Sequence, residues 1–226
     1  MTRASGRRGA ALVAVVVAAA LLAGCSGGSD EPGPAAVVVS PSGEDGPYQG
    51  VEIDPPYRLP AATLTDTDGD PMTLPDDLVA PVRLFFFGYT RCPDICPLVM
   101  SNLALAVARL PDEVAGDVQV LLVTSDPARD DPAALRAYVD RYDPDFTGLT
   151  GDLDTITSVA DTMGVPLEHG ERLPGGGYDV GHGSQVVGYV HDRGVVVWTS
   201  GTSAEDMADD LVRMLDSAAS EAGQEG

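Results

Sequence analysis

The sequence predicts an α/β domain with a central mixed sheet flanked by helices and preceded by a hairpin. Three observations carry this. Residues 82–87 and 118–123 form short apolar runs, as expected of strands buried on both faces. Each is followed by a stretch of helical periodicity, at 98–110 and 132–142. Residues 184–191 alternate apolar and polar, Asp192-Arg193-Gly194 turns the chain, and 195–199 pairs back as a closing hairpin.

The elements follow in order. Residues 57–65 read as extended, Asp66-Thr67-Asp68-Gly69-Asp70 as a hairpin turn, and 72–74 as the returning strand. Pro75-Asp76-Asp77 turns the chain toward the strand at 82–87. Pro97 suits a first helical turn, and Pro111 ends that helix. The strand at 118–123 stops at Thr124-Ser125-Asp126-Pro127. Asp131 caps a helix that starts at Pro132. A short strand is expected at 146–150. Acidic residues begin a helix over 152–163, which Gly164 closes. Residues 167–177 are Gly-rich and read as irregular. Ser203 caps a last helix through about 218, and 220–226 form a frayed tail. The strand–helix alternation and antiparallel close give a thioredoxin-like arrangement, in the peroxiredoxin-type variant with an N-terminal hairpin.

Composition narrows the functions. The 226 residues carry a net charge of −22 at pH 7 and no lysine. Such a chain is repelled by nucleic-acid phosphates, which excludes nucleic-acid binding. Residues 1–24 join Arg3, Arg7 and Arg8 to an apolar run ending Leu22-Ala23-Gly24-Cys25. The run is too short for a membrane span and fits a secretory signal. It resembles a bacterial lipoprotein signal, in which Cys25 is lipidated after cleavage. The expected organisation is a signal over 1–24, a Gly-, Pro- and Ser-rich tether over 25–50, a domain over 51–219 and the tail. The expected location is the extracytoplasmic face of the cell membrane, held by a lipid anchor. The Arg7-Arg8 pair leaves Sec and twin-arginine export both open.

Cys92 and Cys96 then remain as a pair in an oxidising compartment. They stand where the first buried strand turns into a helix. With Cys96 on the first helical turn, both sulfurs can face one side. The helix N-terminus favours the thiolate form. Such a pair suits Cu(I), or zinc with further ligands, and it can also close a disulfide. The three-residue spacing differs from the usual two of dithiol oxidoreductases. The cis-proline that faces the thiols in those enzymes is missing; Val180-Gly181-His182-Gly183-Ser184 stands there instead. His182 is therefore the candidate third ligand, completing a Cys2His set with an open position. His169 and His191 read as solvent histidines, with His169 a faint candidate for transient metal capture. Asp126 and Asp179 are candidates to orient the site, while Arg129 and Asp130 read as ordinary salt-bridging charges at a strand end.

The run Gly88-Tyr89-Thr90-Arg91-Cys92-Pro93-Asp94-Ile95-Cys96-Pro97 resembles the hallmark of the Sco/SenC family. So do Ser125-Asp126-Pro127-Ala128-Arg129-Asp130, Phe146-Thr147-Gly148-Leu149-Thr150-Gly151 and Tyr178-Asp179-Val180-Gly181-His182-Gly183-Ser184, in order and spacing. The resemblance implies a thioredoxin-like fold and a membrane tether. It also implies copper, as Cu(I) or Cu(II), on Cys92, Cys96 and His182. The implied role is copper delivery to the cytochrome c oxidase subunit that carries the dinuclear copper site. A copper donor or a thiol-reductant protein would be a further partner. The chain departs from the family at Gly181, where Asp is common.

Two functions thus stand against each other: a metallochaperone, and a thiol-disulfide reductase that keeps the oxidase cysteines reduced. A peroxiredoxin-type peroxidase fits less well, because Thr90 precedes Cys92 by two residues rather than three and the upstream proline of that motif is missing.

Overall fold

The computed structural model describes residues 46–172 and 178–223. The signal, Cys25 and nearly all of the tether lie outside them. Strands β1 (Val51–Arg58), β4 (Val82–Gly88), β5 (Val118–Thr124), β6 (Thr147–Leu149), β9 (Val186–Val190) and β10 (Arg193–Trp198) form one sheet, ordered β1-β10-β9-β4-β5-β6. The pairs β4–β5 and β5–β6 are parallel; β4–β9, β9–β10 and β10–β1 are antiparallel. The sheet is therefore mixed, as expected, with β4 at the change of direction. The N-terminal hairpin, β2 (Ala62–Thr65) with β3 (Pro71–Leu74), is a separate small sheet bridged to Thr150.

Five helices complete the described part: α1 (Ile95–Val107), α2 (Asp112–Ala115), α3 (Pro132–Val139), α4 (Leu153–Thr162) and α5 (Ala204–Ala222). Strand alternation divides the core. Val82, Leu84 and Phe86 of β4, with Val120 and Leu122 of β5, face α1, α3 and α5. Phe85 and Phe87, with Leu121 and Val123, face α4 and the N-terminal hairpin. A strand buried on both faces must be apolar at successive positions, which explains the continuous runs. Arg83 is the charged member of its run. It is buried at the far end of β4 and donates to the Ala80, Leu78 and His191 carbonyls and to the Asp192 carboxylate.

Two helix starts carry the predicted caps, Asp131 and Ser203, and Asp152, expected inside its helix, caps it instead. Asp131 accepts from Ala134 N–H, Asp152 from Asp154 and Thr155, and Ser203 from Asp206. Gly164 follows α4 with a φ of +70°, the left-handed conformation that suits glycine at a helix end. Three features differ from expectation. The segment read as irregular contains β7 (Leu167–Arg172) paired with β8 (Tyr178–His182). The short α2 follows Pro111, a residue that ends one helix and fits the start of the next equally well. The last helix runs to Ala222, past the expected end at about 218.

Candidate metal centre

The site forms where β4 and β5 end side by side. The parallel register runs to Gly88 opposite Thr124, and both chains then leave the sheet at its C-terminal edge. Beyond β4, the turn over 89–94 carries Cys92 into α1, whose first turn holds Cys96. Cys92 N–H donates to the Tyr89 carbonyl at 3.2 Å, closing the turn. Cys96 N–H donates to Cys92 Sγ at 3.3 Å, so an N–H at the start of the helix points at the first sulfur. The two thiols carry no disulfide and are both buried, Cys92 at 7% exposure and Cys96 at 0%.

Gly88 makes room for this arrangement. A Cβ there would lie 2.9 Å from Cys96 Sγ and 2.9 Å from a Phe86 ring carbon. The end of β4 is therefore a cradle for the second sulfur. Burial pushes the Cys96 thiol well above its ordinary value. Its hydrogen bond with Cys92 and the negative charge of Asp130 add to this, against a backbone hydrogen bond from Tyr89. The sequence expectation of a thiolate at the helix N-terminus is corrected for Cys96: desolvation outweighs the helix.

The segment after β5 supplies two buried carboxylates. Asp126 is buried and ion-paired with Arg129, and its N–H donates to Thr124 Oγ1. Among the described residues, Asp126 Oδ1 has no hydrogen-bond partner. Asp130 is 0% exposed and accepts from Thr90 N–H at 3.0 Å, Thr90 Oγ1 at 2.6 Å and Thr124 Oγ1 at 2.7 Å. Its reading as an ordinary salt-bridging charge is therefore corrected; Arg129 does form the expected ion pair, with Asp126, though its side chain is only 14% exposed. Asp130 closes the Ser125-Asp126-Pro127-Ala128-Arg129-Asp130 run, four residues after Asp126. That position was the available signal, and one-dimensional sequence could not separate the two acids.

His182 ends β8, with its backbone opposite Leu167 at the start of β7. Its side chain, like those of Asp179 and His169, lies outside the described ones. Backbone register still places the segment. β9 runs antiparallel to β4 with Val186 opposite Phe86, so the residues between His182 and β9 leave the sheet at the edge where β4 ends. Among the described residues no three metal donors converge. Cys92 and Cys96 stand together; His182, the expected third donor, is placed by its backbone alone. His191 is at the opposite end of the sheet, after β9, with its N–H on the Pro81 carbonyl.

A mixed sheet of this order with a buried dithiol at the β4–α1 junction defines a thioredoxin-like dithiol protein. The SCO1/SenC family model matches residues 52–216, and the chain belongs to that family. The solution structure of apo Sco1 from Thermus thermophilus is similar with a TM-score of 0.65 and 30% identity, covering 77% of this chain and 99% of that one. The crystal structure of Arabidopsis thaliana ScoI with copper bound gives a TM-score of 0.62 and 27% identity, covering 70% and 98%. A Stutzerimonas stutzeri protein is 34% identical over 124 residues, 55% of this chain and 60% of that one. The matched stretch thus spans less than two thirds of that relative.

Proposed function

We propose that this chain holds copper between Cys92, Cys96 and His182 and hands it to the oxidase subunit that carries the dinuclear copper site. The observation that carries the reading is the buried, unbridged pair of sulfurs at the β4–α1 junction, the second of them in a cradle left by Gly88. Two soft donors held together and screened from water fit a soft ion, Cu(I) above all. An imidazole from the β8 end would fill a third position. Copper is bound in the Arabidopsis relative. Copper is cargo here, so the site must both hold and release it. An exposed rim made by Arg91, Pro93 and Asp94 gives an incoming ligand access to the turn. Lipidation at Cys25 would keep this domain at the outer face of the membrane, with residues 26–50 as tether. Among the described residues no helix is long and apolar enough to cross a membrane.

Titration of the purified chain with Cu(I), against a chromophoric chelator, tests the ligand set. Cys92→Ala, Cys96→Ala and His182→Ala are each expected to weaken binding by more than about 100-fold, beyond what loss of an orienting partner alone costs. Parent-like affinity in Cys96→Ala and His182→Ala would overturn the assignment.

A second reading is a reductase for the oxidase cysteines. It is favoured by one observation: Cys92 is the more exposed of the two sulfurs, the one an oxidised target would reach first. Stoichiometric reduction of an oxidised target by the metal-free dithiol, unaffected by copper, separates it from the first.

A further inference from the structure

We propose that Asp130 is a positioning residue for the dithiol, acting through Thr90 on the turn that carries Cys92. The inference rests on the reading that Cys92 and Cys96 are the working pair. Thr90 lies two residues before Cys92, inside the turn closed by Cys92 N–H on the Tyr89 carbonyl. Both donors that Thr90 offers, its N–H and its hydroxyl, go to the two oxygens of one carboxylate. The same carboxylate accepts from Thr124 at the end of β5. One buried group therefore ties the loop beyond β4 to the strand beside it. Ser125 adds a second tie one step earlier, with its N–H on the Gly88 carbonyl at 2.7 Å.

The chemistry of the group supports a positioning role. A buried carboxylate is costly unless its oxygens are well bonded. Asp126 has the Arg129 guanidinium. Asp130 has three neutral donors, two of them from the single residue Thr90. Contacts of 2.6 and 2.7 Å are the short, charge-assisted kind, which fix direction as well as distance. Asp126 and Asp130 thus divide their work. The first is bound to its own turn, and the second reaches across to the thiol loop.

The test uses the full chain, metal-free, as Thr90→Val, Thr90→Ser and Asp130→Asn. Each is equilibrated with reduced and oxidised glutathione. The two thiols give two electrons and two protons to glutathione disulfide, forming the Cys92–Cys96 bond and two glutathione thiols. A looser turn lowers the effective concentration of one sulfur at the other. Thr90→Val and Asp130→Asn are expected to lower the equilibrium constant for disulfide formation at least tenfold, about 30 mV for this two-electron couple. Thr90→Ser, which keeps the hydroxyl, is expected to restore the parent value. Loss of Cu(I) to a chelator should quicken at least tenfold in the first two variants and not in the third. A glutathione constant within twofold of the parent in both Thr90→Val and Asp130→Asn would overturn the proposal, whatever the change in melting temperature. A parent that takes up no copper would overturn the copper reading and leave the glutathione comparison intact.

Discussion

Gly88→Ala is the perturbation that most directly joins packing to the site. The added methyl would sit 2.9 Å from Cys96 Sγ and 2.9 Å from the Phe86 ring, where ordinary contact begins at 3.4 Å. Both neighbours are fully buried, so neither can swing into solvent. Overpacking of this kind costs roughly 1–3 kcal/mol. Loss of glycine's freedom in the unfolded chain offsets about 0.4–1 kcal/mol. A net loss of up to roughly 2.6 kcal/mol remains, which for a chain of this length lowers Tm by up to about 10 °C. The sulfur must also give way by about 0.5 Å, from 2.9 Å to the bottom of the ordinary contact range. Differential scanning calorimetry reads the first effect. The rate of Cu(I) loss to a chelator reads the second and should rise several-fold. Gly116→Ala is the internal control, because nothing lies within 4 Å of a Cβ there. The reasoning fails if Gly88→Ala matches Gly116→Ala in both melting temperature and copper release.

Two further predictions concern the frame. Asp210 is fully buried and accepts from Gln49 N–H, Gly50 N–H and Trp198 Nε1–H at 2.8–2.9 Å, besides pairing with Arg213. Asp210→Ala strands those donors and should cost about 3–5 kcal/mol in urea unfolding. A loss under about 1 kcal/mol would show that the clamp on the chain entering β1 is dispensable. Burial also raises Tyr138 and Tyr189 above their ordinary 10.0 and Cys96 above its 9.0. The fold retains protons that the unfolded chain releases. That stabilisation is complete below about pH 9 and is lost as pH rises beyond it, with a slope of up to about 1.4 kcal/mol per pH unit for each group. Melting temperatures that stay flat from pH 8 to 11 would contradict this.

Much of the frame was legible because its signals are local. Two-sided burial of β4 and β5 forces unbroken apolar runs, and caps at Asp131 and Ser203 follow from the chemistry of helix starts. Cys92 and Cys96 were legible for the same reason: their spacing is a local property, and a helix start was readable at Pro97. The β7–β8 pair was not. Its sequence, Leu167 to His182, is broken by glycines and a proline that read as loop. Its pairing is set by register between strands rather than by composition.

The two acids of the 126–130 turn show where local reading runs out. Asp126 and Asp130 are both charged, both next to a strand end, and both within reach of Arg129 in sequence. Burial separates neither, since both are nearly inaccessible. What separates them is the direction in which each carboxylate bonds. Asp126 turns to Arg129 within its own segment, whereas Asp130 faces Thr90 on the neighbouring loop. That choice follows from the parallel pairing of β4 with β5, which brings residues some forty positions apart to one edge. Parallel strands need a crossover connection, here α1 and α2, so the contact cannot be anticipated from either segment alone. A dithiol placed by a local motif is thus held by a group that only topology delivers. A sequence that kept Cys92 and Cys96 but lost Thr90 or Asp130 would keep the motif's spacing and lose the tie across the sheet edge.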